Sequence, residues 1–315
     1  FFLFFLKDVI GFSGGVGTSF GSVLFNSLII PSIAVLGVLS KSKKNSVIVS
    51  RKIIIRDGFW LLLVEFVLIY FIQQGVISWV ESLVLIVLYG LYVLYLFKTM
   101  KGGHDINYEE PFSDKDKVSF LSAFMILDLK RMIIRNQKLN TRTAWVVFVT
   151  SSLIIGFVCY FLVLACEWLG SETYTVYGFG ELQGLGIPLL FVAIVFAAIG
   201  SSFPDTIISY KDAQKGNYDD AISNAYGSNI FNLCIALGVP LFLFTFLYGP
   251  IELTQEIVSL ITSLSLWFFG LTAFSIFLYT RLGGVTRNQS LILITSYVMF
   301  ILFIFWKAYN VEGVF

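Results

Sequence analysis

Eight apolar segments, each long enough to cross a bilayer, dominate the sequence and limit the folds open to it. They lie near residues 11–39, 53–72, 78–97, 144–168, 186–210, 220–248, 256–280 and 289–308. A spanning helix needs about 20 apolar residues, and lipid offers no hydrogen-bond partner to an exposed backbone, so only helices or closed barrels span it. The segments are too long and too continuously apolar for barrel strands. The sequence therefore predicts an all-α, multi-pass membrane protein with about eight transmembrane helices.

The composition favours the same class. Hydrophobic residues make up 57% of the 315 residues and charged residues 13%, and the mean hydropathy is +0.85, well above that of a soluble domain. The net charge of +1 gives no indication of a nucleic-acid partner, so we expect membrane lipid and no nucleic acid around the chain. Three cysteines lie in apolar stretches without metal-ligand spacing, which favours packed thiols: Cys159, Cys166 and Cys234.

The basic residues of the loops are confined to alternate loops. If successive segments cross the membrane in opposite directions, the loops that contain Lys and Arg all lie on one side, at 40–52, 98–143, 211–219 and 281–288. The opposite loops contain neither residue, and these are 73–77, 169–185 and 249–255. The positive-inside bias therefore places the basic loops on the cytoplasmic side or its equivalent in an organelle.

The longest loop, residues 99–143, divides the chain into a first half, 1–98, and a second half, 144–315. Its first part, GGHDINYEEPFSDKDK, has the composition of a solvated linker. Its second part, VSFLSAFMILDLKRMIIRNQKLNTR, predicts an amphipathic helix on the inner membrane surface. A regulatory helix that binds a partner is the alternative interpretation.

Two apolar segments share a polar pattern. FGSVLFNSLIIP at 20–31 and YGSNIFNLCIALGVP at 226–240 align at an offset of 206, which pairs Ser22 with Ser228 and Asn26 with Asn232. A spacing of four places each Ser and Asn on one helix face, one turn apart. Helix packing through small and polar residues is one explanation.

A carboxylate near the second copy favours an ion site instead. In AAIGSSFPDTIIS, residues 197–209, Asp205 follows Pro204 within an apolar span. A charged group at this depth costs roughly 2.5–3.5 kcal/mol, so the carboxylate should be paired or functional. Pro204 cannot donate to the Gly200 carbonyl, which predicts a helix break there. With Ser201 and Ser202, these groups supply the hard oxygen ligands that calcium and sodium require.

The stretch GSSFPDTIIS...KGNYDDAISNAYGSNIFNLCIALGVP resembles the second alpha-repeat of the sodium/calcium exchanger (cation/calcium antiporter) superfamily. The first half is similar to the end of the first repeat at GVGTSFGSVLFNSLIIP and, at ISWVESLVLIVLYGLYVLY, to the span that closes that half in the potassium-dependent branch. The resemblance implies ten helices in two inverted repeats of five. It implies that this chain holds three helices of the first repeat and all five of the second. It implies a metal site of Asp205, Ser201, Ser202, Ser228, Asn232, Ser22 and Asn26.

Two departures from the family pattern bear on the ion. The chain has Asn232 where potassium-dependent exchangers typically carry Asp, so we do not expect potassium cotransport. The acid of the first repeat would fall just before Phe1. The chain, which opens as if cut within a helix, either lacks the first two helices or is a degenerate homologue.

The resemblance implies a secondary active antiporter that exchanges calcium for sodium or protons, without a cofactor. A transport-inactive structural subunit that keeps the fold is the alternative, and membership of a larger membrane complex stays open. An intramembrane enzyme is disfavoured because the sequence has no zinc motif and no Ser/His pair. For Glu65, in the middle of WLLLVEFVLIYF, we expect an interhelical hydrogen bond or a shielded pocket.

Overall fold

The computed structural model describes residues 2–41, 45–99, 140–281 and 284–310. The surface helix predicted for 118–142 lies outside these ranges except for its last three residues. The described residues fall into two compact units, one within 1–95 and 163–315 and the other within 96–162. Every residue of the predicted ion site lies in the first unit.

The first half is built from helices at each predicted segment. They are α1 (Phe2–Leu6), α2 (Asp8–Leu24), α3 (Ile30–Lys41), α4 (Arg51–Gln73) and α5 (Trp79–Thr99). A five-residue π-helical segment, π1 (Phe25–Ile29), joins α2 to α3 without interruption. Together these three form a continuous element of 34 residues.

The described part of the second half is also built from helices. Its helices are α6 (Thr141–Gly170), α7 (Leu189–Val192), α8 (Ala198–Gln214), α9 (Tyr218–Phe231), α10 (Gly238–Tyr248), α11 (Gln255–Tyr279) and α12 (Arg287–Asn310). The segment π2 (Ala193–Ala197) joins α7 to α8, and π3 (Asn232–Ala236) leads from α9 towards α10. The predicted all-α membrane fold is confirmed.

Seven helical elements of the described residues are long and apolar enough to cross a membrane. The eighth predicted span, α4, is a helix of 23 residues, but it contains Arg56, Asp57 and Glu65 and is not among the seven. That α4 also spans the membrane stays a prediction.

Three pairs of short antiparallel strands, which were not predicted, connect the loops. Strand β1 (Ser46–Val47) pairs with β6 (Val285–Thr286), and β2 (Val76–Ile77) pairs with β5 (Ile251–Glu252). The third pair is a hairpin of β3 (Thr173–Val176) and β4 (Gly180–Gln183). The first two pairs each join loops predicted to lie on the same side of the membrane, as alternating helices require.

Helix α2 lies in the centre of the first unit, and small residues let it approach its neighbours closely. A Cβ atom on Gly17 would lie 2.7 Å from the Leu190 carbonyl oxygen, and one on Gly21 would lie 2.1 Å from that of Ile194. Glycine at both positions therefore permits close backbone contact with α7 and π2. On the same helix, Phe20 stacks on Phe268 of α11 with ring centroids 4.9 Å apart.

The cysteines agree with the sequence interpretation. All three are free thiols, with Cys166 and Cys234 buried and Cys159 half-buried. Among the described residues, no group of three or more His, Cys, Asp or Glu side chains is arranged to hold a metal ion.

Candidate ion-binding site

The first contact between the two halves joins α2 to α8. Ser22 is buried on α2, and its Oγ lies 3.0 Å from Oγ of Ser201 on α8. Ser201 also donates to the Ala198 carbonyl at 3.1 Å. Each of these residues comes from a motif that the sequence singled out, so the structure brings one predicted ligand of each half together.

The second contact lies one helical turn further along and joins π1 to α9. The Asn26 carboxamide donates from Nδ2 to Ser228 Oγ at 3.1 Å. Ser228 in turn donates to the Ala225 carbonyl at 3.0 Å. Asn26 is fully buried, and its Oδ1 has no hydrogen-bond partner in the described part of the chain. An unpaired buried oxygen is unfavourable unless a ligand or water satisfies it, so it is a candidate ligand atom.

Asp205 lies beside this second contact. Its half-buried carboxylate interacts with the Ser228 hydroxyl. The carboxylate, the Ser228 hydroxyl and the Asn26 carboxamide thus form a chain of oxygen-bearing groups across α8, α9 and π1. Such groups are the ligands that calcium and sodium prefer.

Two predicted ligands remain apart from these contacts. Ser202 is buried, and its Oγ has no partner among the described residues. Asn232 is half-buried at the start of π3, and within the described ranges its carboxamide makes no hydrogen bond. Their membership of the site stays a prediction.

The expected helix break at Pro204 is not present. Helix α8 runs from Ala198 to Gln214 with Pro204 inside it. One proline removes a single backbone donor, and the remaining hydrogen bonds of the helix can carry it past that point. The break in regular α-geometry lies earlier, at π2, before the two serines.

A π-helical segment occurs in each of the three elements that carry predicted ligands. Adding the offset of 206 to π1 gives residues 231–235, one residue from π3 at 232–236. The two copies therefore share this backbone feature as well as their Ser and Asn residues. Short π segments are rare and frequently mark functional sites, because they redirect side chains and free backbone groups.

Asn229 connects the halves at a point that the predicted ligand set missed. It is fully buried, and its Nδ2 donates to the Val23 carbonyl at 3.1 Å and to Ser27 Oγ at 2.9 Å. The offset pairs Asn229 with Val23, so the duplicated pattern gave no signal for it. The available signal was a carboxamide within an apolar run, which needs a partner when buried.

Comparison with known proteins gives one family. The family model described as "Sodium/calcium exchanger protein" matches residues 4–98 and 143–306. The probable sodium/potassium/calcium exchanger CG1090 of Drosophila melanogaster is 31% identical over 53% of this chain and 24% of its own length. Human sodium/potassium/calcium exchanger 4 is 29% identical over 62% of this chain and 30% of its own length. The chain thus spans about a quarter to a third of these relatives.

Two solved structures share the fold. Native YfkE aligns with a TM-score of 0.55 and 14% identity over 93% of this chain and 76% of that chain. The H+/Ca2+ exchanger CAX aligns with a TM-score of 0.52 and 17% identity over 95% and 73% of the two chains. The family model covers most of the sequence, and the resemblance seen in the two motifs is confirmed: the chain belongs to the sodium/calcium exchanger protein family.

Proposed function

We propose that this protein is a secondary active antiporter that exchanges calcium for sodium or protons across a membrane. The observation that carries the proposal is the pair of contacts between the halves, Ser22 with Ser201 and Asn26 with Ser228, beside the Asp205 carboxylate. Three helical elements, α2 with π1 from the first half and α8 and α9 from the second, thereby present oxygens to one place. A cation held there would contact both halves at once.

The oxygen ligands in the proposed site are of types that bind a transported cation. Calcium takes six to eight oxygen ligands in a flexible geometry, and hydroxyls, carboxamides and carboxylates all serve. Because calcium and its counter-ion would use the same oxygens, binding of one excludes the other. Alternate exposure of such a shared site to the two sides of the membrane produces exchange.

Charge bears on which ions the site accepts. Asp205 is the carboxylate in the proposed ligand set, and the other six members are neutral hydroxyls and carboxamides. The relatives are named sodium/potassium/calcium exchangers, but the neutral Asn232 lowers the negative charge available for an additional potassium ion. We therefore propose exchange without potassium cotransport.

The proposed orientation puts the loops rich in Lys and Arg on the cytoplasmic side or its equivalent. The strand pairs β1 with β6 and β2 with β5 support the relative placement, since each joins loops assigned to one side. The absolute orientation rests on the positive-inside bias. Labelling of single cysteines introduced in the loops of each side would test it.

Reconstitution tests the function directly. Purified protein in vesicles loaded with sodium, or with an acidic interior, is diluted into medium containing labelled calcium. We expect calcium uptake that stops when an ionophore dissipates the sodium or proton gradient. Uptake no greater than that of protein-free vesicles under both gradients would refute the proposal.

A further inference from the structure

The carboxyl group of Glu65 lies in the middle of α4, outside the proposed ion site. Glu65 is fully buried. It follows the start of α4 at Arg51 by 14 residues, roughly 21 Å along the axis at the usual helical rise. A carboxyl group far from both ends of an apolar helix is expensive to keep charged and is therefore a candidate for a functional role.

Among the described residues, Glu65 has one hydrogen-bond partner. Thr272 of α11, itself fully buried, donates from Oγ1 to Glu65 Oε1 at 2.9 Å. The other oxygen, Oε2, has no partner in the described part of the chain. The interhelical hydrogen bond expected for Glu65 is confirmed, but half of the carboxyl group is left unpaired in a buried position.

Among the described elements that contact α4, α5 carries one basic residue, Lys98 in its last turn, and α5 meets α4 where Tyr92 donates to Asp57, near the start of α4. Helices α9 and α11 and the segment π3 contain no Lys, Arg or His. Their titratable side chains are carboxylic acids, phenols and one thiol: Tyr218, Asp219, Asp220, Tyr226, Cys234, Glu256 and Tyr279. Those of α5 are Glu81, Tyr89, Tyr92, Tyr95 and Lys98.

The basic residues of α4 itself lie in its first six positions, namely Arg51, Lys52 and Arg56. Arg56 is already paired, with Nε and Nη2 donating to the Asp57 carboxylate at 2.6 and 2.9 Å. An anionic Glu65 would thus be a buried charge stabilised by a single hydroxyl. Because an unpaired buried carboxylate is strongly disfavoured, the neutral, protonated acid is the form that fits this packing.

A chain of hydrogen bonds leads from Glu65 to the helix that carries Ser228. Beyond Thr272, the Ser275 hydroxyl donates to the Thr272 carbonyl at 2.8 Å, and Ser275 Oγ lies 3.0 Å from the Tyr226 hydroxyl. Tyr226 is fully buried on α9, two residues before Ser228. A change in the packing of α4 against α11 therefore reaches α9 through direct contacts.

We propose that Glu65 is a proton-binding site, separate from the oxygens around Asp205, whose proton occupancy is linked to cation exchange through α9. On release, the O–H bond at one carboxyl oxygen breaks, the electron pair stays on Glu65, and the proton passes to water. The resulting carboxylate favours an arrangement in which water reaches the contact between α4 and α11. High pH therefore favours that arrangement and low pH favours the packing seen here. The link to exchange rests on the proposed function, whereas proton binding does not.

Infrared spectroscopy of the purified protein tests the proton site without transport. We expect the carbonyl-stretch band of a protonated carboxylic acid at neutral pH, lost in Glu65→Gln. Thr272→Val keeps the acid and removes its hydrogen-bond donor, so it should shift the band without abolishing it. This second variant tests the proposal if Glu65→Gln fails to fold. Glu81→Gln is the matched control, because Glu81 lies at a helix start and accepts from Ser78. A band unchanged in Glu65→Gln and Thr272→Val would overturn the proposal.

The link to exchange is tested by the pH dependence of calcium uptake in vesicles. We expect uptake by the parent protein to change about fivefold or more between neutral and alkaline pH, and Glu65→Gln, which mimics the neutral acid, to show a flat profile. An identical profile in the two proteins would overturn the link. Absence of uptake by the parent protein counts against the proposed function instead, and the infrared result still decides whether Glu65 binds a proton.

Discussion

The Asn26 carboxamide donates to the Ser228 hydroxyl at 3.1 Å, joining the two copies of the polar pattern. The two residues are 202 positions apart in sequence. Their contact makes the ligand groups of one half depend on the position of the other half. In an exchanger, such dependence means that substitution of one partner should weaken ion binding by the whole site.

Removing the Ser228 hydroxyl, which accepts from Asn26 and lies beside the Asp205 carboxylate, should reduce the affinity for calcium. We expect Ser228→Ala to raise the calcium concentration for half-maximal uptake about tenfold, because a lost ligand or charged hydrogen bond is worth about 1.4 kcal/mol or more. Ser296→Ala is the control, since half-buried Ser296 donates to the Ile292 carbonyl of its own helix and, among the described residues, to no other group. Equal half-saturation in the two variants would contradict a role for Ser228 at the site.

The close approach of α2 to π2 should not tolerate a methyl group at Gly21. A Cβ there would lie 2.1 Å from the Ile194 carbonyl oxygen and 2.6 Å from the Ala198 Cβ. We expect Gly21→Ala to destabilise the protein by roughly 1–3 kcal/mol, as overpacked sites do, and to lower the unfolding temperature in detergent. Gly270→Ala is the matched control because, among the described residues, its added Cβ would meet no atom within 4 Å other than those of its chain neighbours and its own helix backbone. Unfolding temperatures that agree between the two variants would show that the approach is not tight.

Asn229 should stabilise the contact between the halves through its two donated hydrogen bonds. Asn229→Asp keeps the shape but replaces the donors with carboxylate oxygens facing the Val23 carbonyl. We expect a loss of roughly 1–3 kcal/mol or more, since buried acceptors are then left unpaired. Thermal unfolding of this variant is compared with that of Asn288→Asp, whose side chain is exposed. A loss no larger than in the control would mean that the Asn229 contacts do not stabilise the fold.

Introducing an acid at position 232 should make calcium uptake depend on potassium. Calcium uptake by the parent protein is expected to be independent of potassium, because the Asn232 carboxamide carries no charge. Asn232→Asp adds a negative charge to the proposed ligand set and should make uptake rise with potassium concentration. Titration of potassium at constant sodium and calcium checks both statements. Potassium dependence in the parent protein would contradict the assignment.

The sequence predicted the helices well because their signal is local. Each long apolar run must satisfy its backbone internally, so the helices at 11–39 and 256–280 follow from composition alone. The strand pairs are two residues long and depend on loops distant in sequence, such as Val47 with Val285. A signal that short does not stand out from ordinary loop sequence.

The candidate site was also partly predictable, because the spacing of its residues along a helix is a local pattern. Ser22, Asn26 and Ser228 were found because the duplicated spacing places them on one helix face, and the structure brings them into contacts across the halves. Asn229 has no counterpart in the other copy and was missed. Pro204 was expected to break its helix, whereas the helix continues and the irregular geometry lies at π2.

The central claim is that Asp205 holds the transported cation, and one pair of variants tests it most directly. Gradient-driven calcium uptake is measured in vesicles containing equal amounts of folded Asp205→Asn or Asp220→Asn, the latter changing an exposed acid of α9. The account predicts that Asp205→Asn abolishes uptake while Asp220→Asn retains it. Undiminished uptake by folded Asp205→Asn would contradict the account.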